Sequence, residues 1–295
     1  MSSVNNQAQK AENFRQLHHQ KTPLILPNIW NPLGALMLQD MGYRAVATSS
    51  SAISQTLGWP DGEKLPFDLL LKCLKLISHK VSIPVSADVE SAYASTESEL
   101  EENINLILDT GIAGINYEDS DKKTGELVPI EDQVRRIHLI RKISEARDIP
   151  LFINSRIDTY SNCDQLTSDQ KLLETIKRAE AYKNAGADCI FPILITDSSH
   201  VKTLIDEVEL PLNVMAFPGI PDLKELVSLG VKRISLGGGF MKVALQSMKK
   251  MAEKLQNLDG LDELFGNEIN SAYINKLIDQ NKSVVSDKDL RPLRF

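Results

Sequence analysis

The chain has 295 residues, of which 42% are hydrophobic and 25% are charged. This balance is typical of a folded globular protein and excludes a chain that is disordered by composition. The formal net charge of −7 disfavours nucleic acid and anionic membrane surfaces, so we expect neither as a partner.

The three cysteines indicate a reducing compartment. Cys73, Cys163 and Cys189 fit neither a disulfide framework nor a zinc site by their spacing. No apolar run approaches the roughly 20 residues that cross a bilayer. The N-terminal segment lacks the apolar core of a signal peptide. We therefore expect a cytoplasmic protein without a membrane partner.

Short apolar runs recur along the chain, most of them without alternation of apolar and polar residues. Strands that are buried on both faces of a parallel sheet have this pattern. The predicted strands are Leu24–Trp30, Ala45–Ser50, Ile83–Glu90, Gly114–Asp119, Pro150–Asp158, Cys189–Leu194, Pro211–Phe217 and Arg233–Gly238.

Amphipathic helices separate these strands. Thr96 and Glu99 form a capping-box pattern at the start of one of them. A glycine stands a few residues before several strands, as expected where a helix ends in a left-handed residue; these are Gly42, Gly111, Gly186 and Gly230. The repeated order of strand, helix and glycine predicts an α/β fold of the (β/α)₈ TIM-barrel type. We expect one domain over residues 1–295, with a C-terminal helical extension from about residue 257.

Polar residues break the apolar strand pattern at the carboxyl ends of the strands, where barrel enzymes have their active sites. Asp88 and Glu90 end one predicted strand, and Glu118 ends the next. Asp61 lies in a preceding loop, and Arg156 lies near the end of a later strand.

Carboxylates that meet at one rim repel one another, so they need a cation or raised pKa values. Oxygen-only ligands favour Mg²⁺, and Mn²⁺ accepts the same set. The alternative interpretation is that the acids cap helices, as Asp often does. For Arg156, a planar fork suited to a carboxylate or phosphonate competes with a structural salt bridge to Asp158 or Glu118. The five histidines lie on helices or in the N-terminal segment, and we expect them to face solvent.

Five segments together resemble the isocitrate lyase/phosphoenolpyruvate mutase superfamily, over roughly residues 24–255. They are Leu57-Gly-Trp-Pro-Asp-Gly, Pro84-Val-Ser-Ala-Asp-Val-Glu, Ile115-Asn-Tyr-Glu-Asp, Ile153-Asn-Ser-Arg-Ile-Asp and Asn213-Val-Met-Ala-Phe-Pro. The resemblance implies a barrel that exchanges a C-terminal helix between subunits of a homodimer or homotetramer.

The resemblance also implies the site. Mg²⁺ is expected on the acids Asp61, Asp88, Glu90 and Glu118. A small carboxylate substrate is expected against Ser49, Ser50, Ser51, Asp88, Arg156 and Asn213. The implied chemistry is cleavage or rearrangement of a C–C or P–C bond beside an oxo group, through an enolate that the metal stabilises.

Two departures from the resemblance concern catalysis. Lyases of the superfamily carry Lys-Lys-Cys-Gly-His in a mobile loop, whereas this chain has Lys122-Lys-Thr124-Gly-Glu. Threonine is too weak an acid to replace the thiol, yet Lys122 and Thr124 join Arg156 and Glu118 as candidate catalytic residues. Ile193 also stands where those lyases carry Glu. The loop over residues 119–129 is either a lid or an ordinary surface loop.

The expected function is a Mg²⁺-dependent lyase that cleaves a C–C bond next to the oxo group of a small 2-oxo acid or related dicarboxylate. Phosphonopyruvate mutase or hydrolase activity is the alternative among enzymes. A catalytically silent barrel that binds a metabolite is the alternative from another class.

Overall fold

The computed structural model describes residues 3–280, with side chains from residue 6 onward. The strands are β1 (Leu24–Leu26), β2 (Asn28–Ile29), β3 (Val46–Thr48), β4 (Val85–Asp88), β5 (Gly114–Glu118), β6 (Phe152–Ile157), β7 (Cys189–Pro192), β8 (Asn213–Met215) and β9 (Arg233–Ser235). The helices are α1 (Ser3–Leu17), α2 (Pro32–Asp40), α3 (Ser50–Thr56), α4 (Phe67–Lys80), α5 (Glu97–Leu108), α6 (Ile130–Ala146), α7 (Thr159–Asn162), α8 (Ser168–Asn184), α9 (Ser198–Val208), α10 (Leu223–Leu229), α11 (Gly239–Gln256), α12 (Leu261–Phe265) and α13 (Ser271–Gln280).

The strands close into a parallel barrel. β2 to β7 pair in chain order, and β1, β9 and β8 form a second parallel sheet in that order. β1 and β2 are consecutive along the chain, so this segment belongs to both sheets. A parallel bridge between Ile190 and Leu212 joins the other two edges. The predicted (β/α)₈ barrel is confirmed.

The predicted first strand, over residues 24–30, is interrupted at Pro27. Proline has no N–H to donate to a neighbouring strand. Its carbonyl still accepts a hydrogen bond of 2.9 Å from Ala47 N. β1 therefore pairs with β9 before the proline, and β2 pairs with β3 after it.

The predicted helix signals have their expected geometry. Glu99 N donates to Thr96 Oγ1 at 3.2 Å, and Thr96 N donates to Glu99 Oε2 at 3.1 Å. This capping box satisfies backbone donors at the start of α5. The four glycines before strands all have positive φ, between 82° and 107°, which other residues adopt only with strain.

Helix α1 closes the end of the barrel where the strands begin, and the sequence pattern did not predict this helix. Its apolar face packs on residues at or near the starts of strands, which include Ala45, Ala47, Ala113, Phe152 and Cys189. The expectation that the histidines face solvent is wrong for His18 and His200, which are both buried. His18 stacks on Phe152 with ring centroids 4.1 Å apart.

The C-terminal helix α13 packs against α2 of the same chain, and Lys276 Nζ lies 3.1 Å from Asp40 Oδ1. The exchange of a helix between subunits therefore stays a prediction. The part of the predicted extension beyond Gln280 lies outside the described residues. Among the helices over residues 3–280, none is long and apolar enough to cross a membrane.

Candidate active site

The acidic residues lie at the rim formed by the carboxyl ends of β4 and β5. Asp88 is the last residue of β4, and Glu118 is the last residue of β5. Glu118 N donates to the carbonyl oxygen of Glu90 at 3.0 Å. The backbones of the two glutamates are thus directly hydrogen-bonded, and both side chains are almost fully buried.

Lys122 supplies a cation to these two carboxylates. Its Nζ lies 2.8 Å from Glu90 Oε2 and is also in contact with Glu118 Oε1. A buried carboxylate is costly unless it is paired. The ammonium group of Lys122, in the loop over residues 119–129, thus neutralises part of the negative charge at the barrel rim.

Burial dominates the proton equilibria of the site. It raises the pKa of Glu90 to about 7, with the charges of Asp88 and Asp61 adding to the rise and Lys122 opposing it. Burial likewise raises the pKa of Glu118 to about 7, against the attraction of Arg156 and Lys122. For Lys122 itself, burial favours the neutral form, but Glu118 and Glu90 hold its pKa above the usual value. The lysine therefore carries its proton at neutral pH.

Asp88 is bound to the segment that begins α3. Ser50 donates to Asp88 Oδ2 from its backbone N at 3.0 Å and from its Oγ at 2.9 Å. Thr48 Oγ1 accepts from Asp88 N at 3.0 Å. Ser49 caps α3, and its Oγ lies 2.9 Å from Ser51 Oγ. The three predicted substrate-binding serines therefore lie together beside Asp88.

Arg156 makes ion pairs on two sides. Its Nη1 lies 3.0 Å from Glu118 Oε2, and its Nε donates to Asp158 Oδ1 at 2.6 Å. The structural salt bridge that the sequence left open for Arg156 is thus present to both acids. The guanidinium is fixed at the rim, beside the carboxylate that Lys122 also contacts.

The loop that contains Lys122 is anchored at its base and at its tip. Asp119 accepts from Arg178 Nη1 at 3.0 Å and from Tyr182 OH at 2.8 Å. Asn162 Nδ2 donates to the carbonyl oxygen of Gly125 at 2.9 Å. This geometry holds the loop over the acids through Lys122.

The remaining predicted site residues lie apart from these contacts. Thr124 is exposed, and its Oγ1 accepts from Glu126 N at 3.2 Å within the loop. Asn213 is buried on β8, and neither of its amide atoms has a hydrogen-bond partner among the described residues. Asp61 is exposed, and its charge reaches Glu90.

Two residues near the site were not among the residues predicted from the sequence. Glu63 Oε1 accepts three hydrogen bonds from the loop that follows β4, from Ser91 N and Oγ and from Tyr93 N. Arg233 is fully buried on β9, and its Nη2 donates to Asn116 Oδ1 at 2.9 Å. A polar residue on a strand expected to be apolar was a usable signal for Arg233; Glu63 resembles any surface glutamate in sequence.

The donor chemistry of the rim fits a hydrated magnesium ion. Within residues 3–280, no group of three or more His, Cys, Asp or Glu side chains converges closely enough to hold a metal directly. Mg²⁺, however, usually binds one or two carboxylates and keeps several waters. Asp88, Glu90 and Glu118 supply oxygen ligands only, and the two glutamates already share the positive charge of Lys122. Water-mediated ligation is therefore compatible with this arrangement.

Comparison with known proteins gives the family. Residues 14–256 match the family model described as phosphoenolpyruvate phosphomutase. An uncharacterized protein of Mycobacterium tuberculosis is 30% identical over 224 residues, which are 76% of this chain and 81% of that protein. A 2-methylisocitrate lyase of Aeropyrum pernix is 26% identical over 85% of this chain and 83% of its own length. An oxaloacetate decarboxylase of Pseudomonas fluorescens is 24% identical over 88% and 90%, respectively.

Solved structures of similar proteins have the same fold. A proposed phosphonomutase from Burkholderia cenocepacia J2315 superposes with a TM-score of 0.78 at 32% identity, over 85% of this chain and 99% of that one. A phosphoenolpyruvate phosphomutase from Streptomyces platensis has a TM-score of 0.79 at 20% identity, over 96% and 99%; this likeness concerns the fold alone. The chain belongs to the phosphoenolpyruvate phosphomutase family and is an enzyme of the isocitrate lyase/phosphoenolpyruvate mutase type.

Proposed function

We propose that the protein is a Mg²⁺-dependent lyase that cleaves a C–C bond beside the oxo group of a small 2-oxo acid or malate-like dicarboxylate. The observation that carries this proposal is that Glu90 and Glu118 lie together at one rim, where the ammonium of Lys122 contacts both carboxylates. Asp88 ends the strand that precedes Glu90 at the same rim. The relatives that act on methylisocitrate and oxaloacetate support the substrate class.

Asp61, Asp88, Glu90 and Glu118 are the proposed metal ligands, some of them through water. When bound, Mg²⁺ supplies Lewis-acid stabilisation of the negative charge that develops beside the oxo group. Mn²⁺ is expected to substitute because it accepts the same oxygen ligands.

The remaining polar groups would bind and orient the substrate. Ser49, Ser50 and Ser51 present hydroxyl groups beside Asp88 that suit a carboxylate. Arg156 carries a fixed positive charge that suits the other anionic end, because Glu118 and Asp158 hold its guanidinium in one place. Asn213 offers a buried amide whose two ends are unpartnered among the described residues.

The loop contributes Lys122 and not Thr124 to this proposal. Lys122 contacts both glutamates, whereas Thr124 is exposed and bonded within the loop. We assign to Lys122 the role of a positive charge that the loop contributes to the site when it lies over the acids and excludes water.

The test is an assay of purified protein with Mg²⁺ and a panel of 2-oxo acids and malate-like dicarboxylates, with pyruvate as the measured product. Turnover that requires the metal and is lost in Asp88→Asn is the expected result. Absence of product from every acid while the metal is bound would overturn the proposal. Thermal stabilisation by these acids without turnover would instead support a silent metabolite-binding barrel.

Phosphonopyruvate mutase or hydrolase activity is the second candidate. The family model is that of a phosphomutase, and the Burkholderia phosphonomutase is the more similar of the two structures above at 32% identity. Phosphorus NMR on phosphonopyruvate tests this candidate, because the P–C signal of the substrate is replaced by an enol phosphate ester in the mutase reaction and by inorganic phosphate in the hydrolase reaction.

We also propose a homo-oligomer, dimer or tetramer, in the cytoplasm. Large apolar side chains are exposed along α11 and α12, among them Met248 at 67% and Phe265 at 77%. Exposed apolar surface of this kind is typical of subunit contacts. A second copy that exchanges its C-terminal helix would cover it.

A further inference from the structure

We propose that Glu63 is a positioning residue that fixes the backbone segment on which Glu90 lies. Glu90 is one of the metal ligands of the proposed function, so the consequence for the metal rests on that function. Glu63 itself lies two residues after Asp61, in the loop between α3 and α4.

One carboxylate oxygen of Glu63 binds the loop after β4 at three points. Glu63 Oε1 accepts from Ser91 N at 2.9 Å, from Ser91 Oγ at 2.6 Å and from Tyr93 N at 2.9 Å. Hydrogen bonds to an ionised acceptor are stronger than those between neutral groups. Because two of the three donors are backbone N–H groups, the contacts fix the path of the chain and not only a side chain.

The bonded segment has a backbone that needs such support. Glu90, Ala92 and Tyr93 have φ values of 55°, 60° and 55°, in the left-handed region. Residues with a β-carbon adopt this region only at an energetic cost, and they persist there when the surroundings hold them. The donors at Ser91 and Tyr93 lie within this segment, so Glu63 acts where the strain is.

The contact is reciprocal. Glu63 N donates to Glu90 Oε1 at 3.1 Å, and Glu63 itself has a φ of 58°. The carboxylate of each glutamate therefore accepts a hydrogen bond from the backbone of the loop that carries the other glutamate. Asp61 and Glu90, two proposed metal ligands from different loops, are held in a fixed relation by this pair of contacts.

Glu63 acts through Glu90 and is not a metal ligand in this inference. Its Oε1 already accepts three donors, which exhausts the lone pairs that a metal would need from that oxygen. Lys122 approaches Glu90 from the other oxygen, Oε2. The two oxygens of Glu90 thus have different partners, since Oε1 accepts from Glu63 N and Oε2 contacts the ammonium of Lys122.

The experiment compares Glu63→Ala, Glu63→Gln and the surface control Glu102→Ala in the full chain. Hydrogen–deuterium exchange of the peptide over residues 89–95 is measured without metal, and Mn²⁺ affinity is measured by electron paramagnetic resonance. In Glu63→Ala we expect exchange of this peptide to quicken about tenfold and the Mn²⁺ Kd to rise about tenfold. Glu63→Gln keeps an acceptor oxygen and is expected to restore most of both values.

The two readouts separate this inference from the proposed function. Unchanged exchange in Glu63→Ala would overturn the inference, whatever the metal does. Faster exchange with unchanged Mn²⁺ affinity would also overturn it, because the contacts would then be structural only. If the unsubstituted protein binds no Mn²⁺, the proposed function fails, and exchange alone decides whether Glu63 fixes the segment. Should Glu63→Ala not fold, Ser91→Ala removes one of the three donors and is expected to quicken exchange to a smaller extent.

Discussion

Lys122 Nζ lies 2.8 Å from Oε2 of Glu90, so a residue of the loop after β5 places its charge at the end of the neighbouring strand β4. The same ammonium contacts Glu118. A lysine and a divalent cation that use the same two carboxylates repel each other, and the effect is strong where solvent is excluded. The position of the loop and the affinity for metal are therefore coupled.

Lys122→Met is expected to raise the affinity for Mn²⁺ about tenfold, because the metal then no longer competes with the ammonium. The metal-free variant should be less stable by about 3 kcal/mol, since buried Glu90 loses its cation and Glu118 keeps only Arg156. Isothermal calorimetry and urea unfolding measure the two effects. Lys123→Met is the matched control, because Lys123 is the next residue along the loop and its side chain is exposed. Unchanged or weaker metal binding in Lys122→Met would contradict the competition.

Asp88→Asn is expected to weaken Mn²⁺ binding by about a hundredfold or more, because even residues that only orient metal ligands account for tenfold to hundredfold effects. The fold should persist, since an amide oxygen still accepts from Ser50 N and Oγ. Asp132→Asn, whose carboxylate is half-exposed near the start of α6 and lies outside the rim, is the control. Circular dichroism with metal titration makes the comparison. Equal affinities in the two variants would remove Asp88 from the site.

The sequence predicted the strands well because parallel strands buried on both faces are nearly continuously apolar. The same regularity made Asp88 and Glu118 visible, since each is a charge at the end of an apolar run. Their common location followed from the geometry of a parallel barrel. These predictions depended on local pattern and on a fold that repeats it.

The contacts made by loops could not be predicted in this way. Lys122 reaches the glutamates because Asp119 anchors the loop to Arg178, which lies 59 residues later in the chain. Glu63 binds backbone donors, which every residue except proline possesses, so no residue type marks the contact. Helix α1 was missed because its buried side chains form only a short apolar stripe in a polar segment.

His18 predicts a specific dependence of stability on pH. Burial, helped by the charge of Arg233, lowers its pKa to about 3. Below the unfolded pKa of about 6.5 the unfolded chain binds a proton that the folded protein excludes, so stability falls as the pH decreases from 6.5 towards 3. At pH 5 this amounts to about 2 kcal/mol.

His18→Phe removes that contribution while keeping an aromatic ring against Phe152. Urea unfolding at pH 7.5 and at pH 5 should show a loss of stability on acidification that is smaller in this variant by about 2 kcal/mol. His19→Phe is the control, because His19 is exposed. Equal losses in His18→Phe and the unsubstituted protein would show that the buried imidazole does not govern this pH range.

The apolar surface of α11, α12 and the turn between them predicts the state of association. Val243 is 65% exposed, Met248 67%, Leu258 98% and Phe265 77%. Single exposed apolar residues are ordinary, but a run of this extent on consecutive elements favours a subunit contact. Light scattering coupled to size exclusion should therefore give a mass that is a multiple of the 32.8 kDa chain.

Met248→Glu places a charge on that surface and is expected to shift the protein towards 32.8 kDa, because an unpaired buried charge destabilises an interface. Lys250→Glu changes charge on the same helix at a position that is already polar, and it should leave the mass unchanged. Since the acidic rim lies within one chain, Mn²⁺ binding should survive dissociation. An unsubstituted protein of 32.8 kDa in solution would refute the subunit contact and leave the apolar surface to another partner.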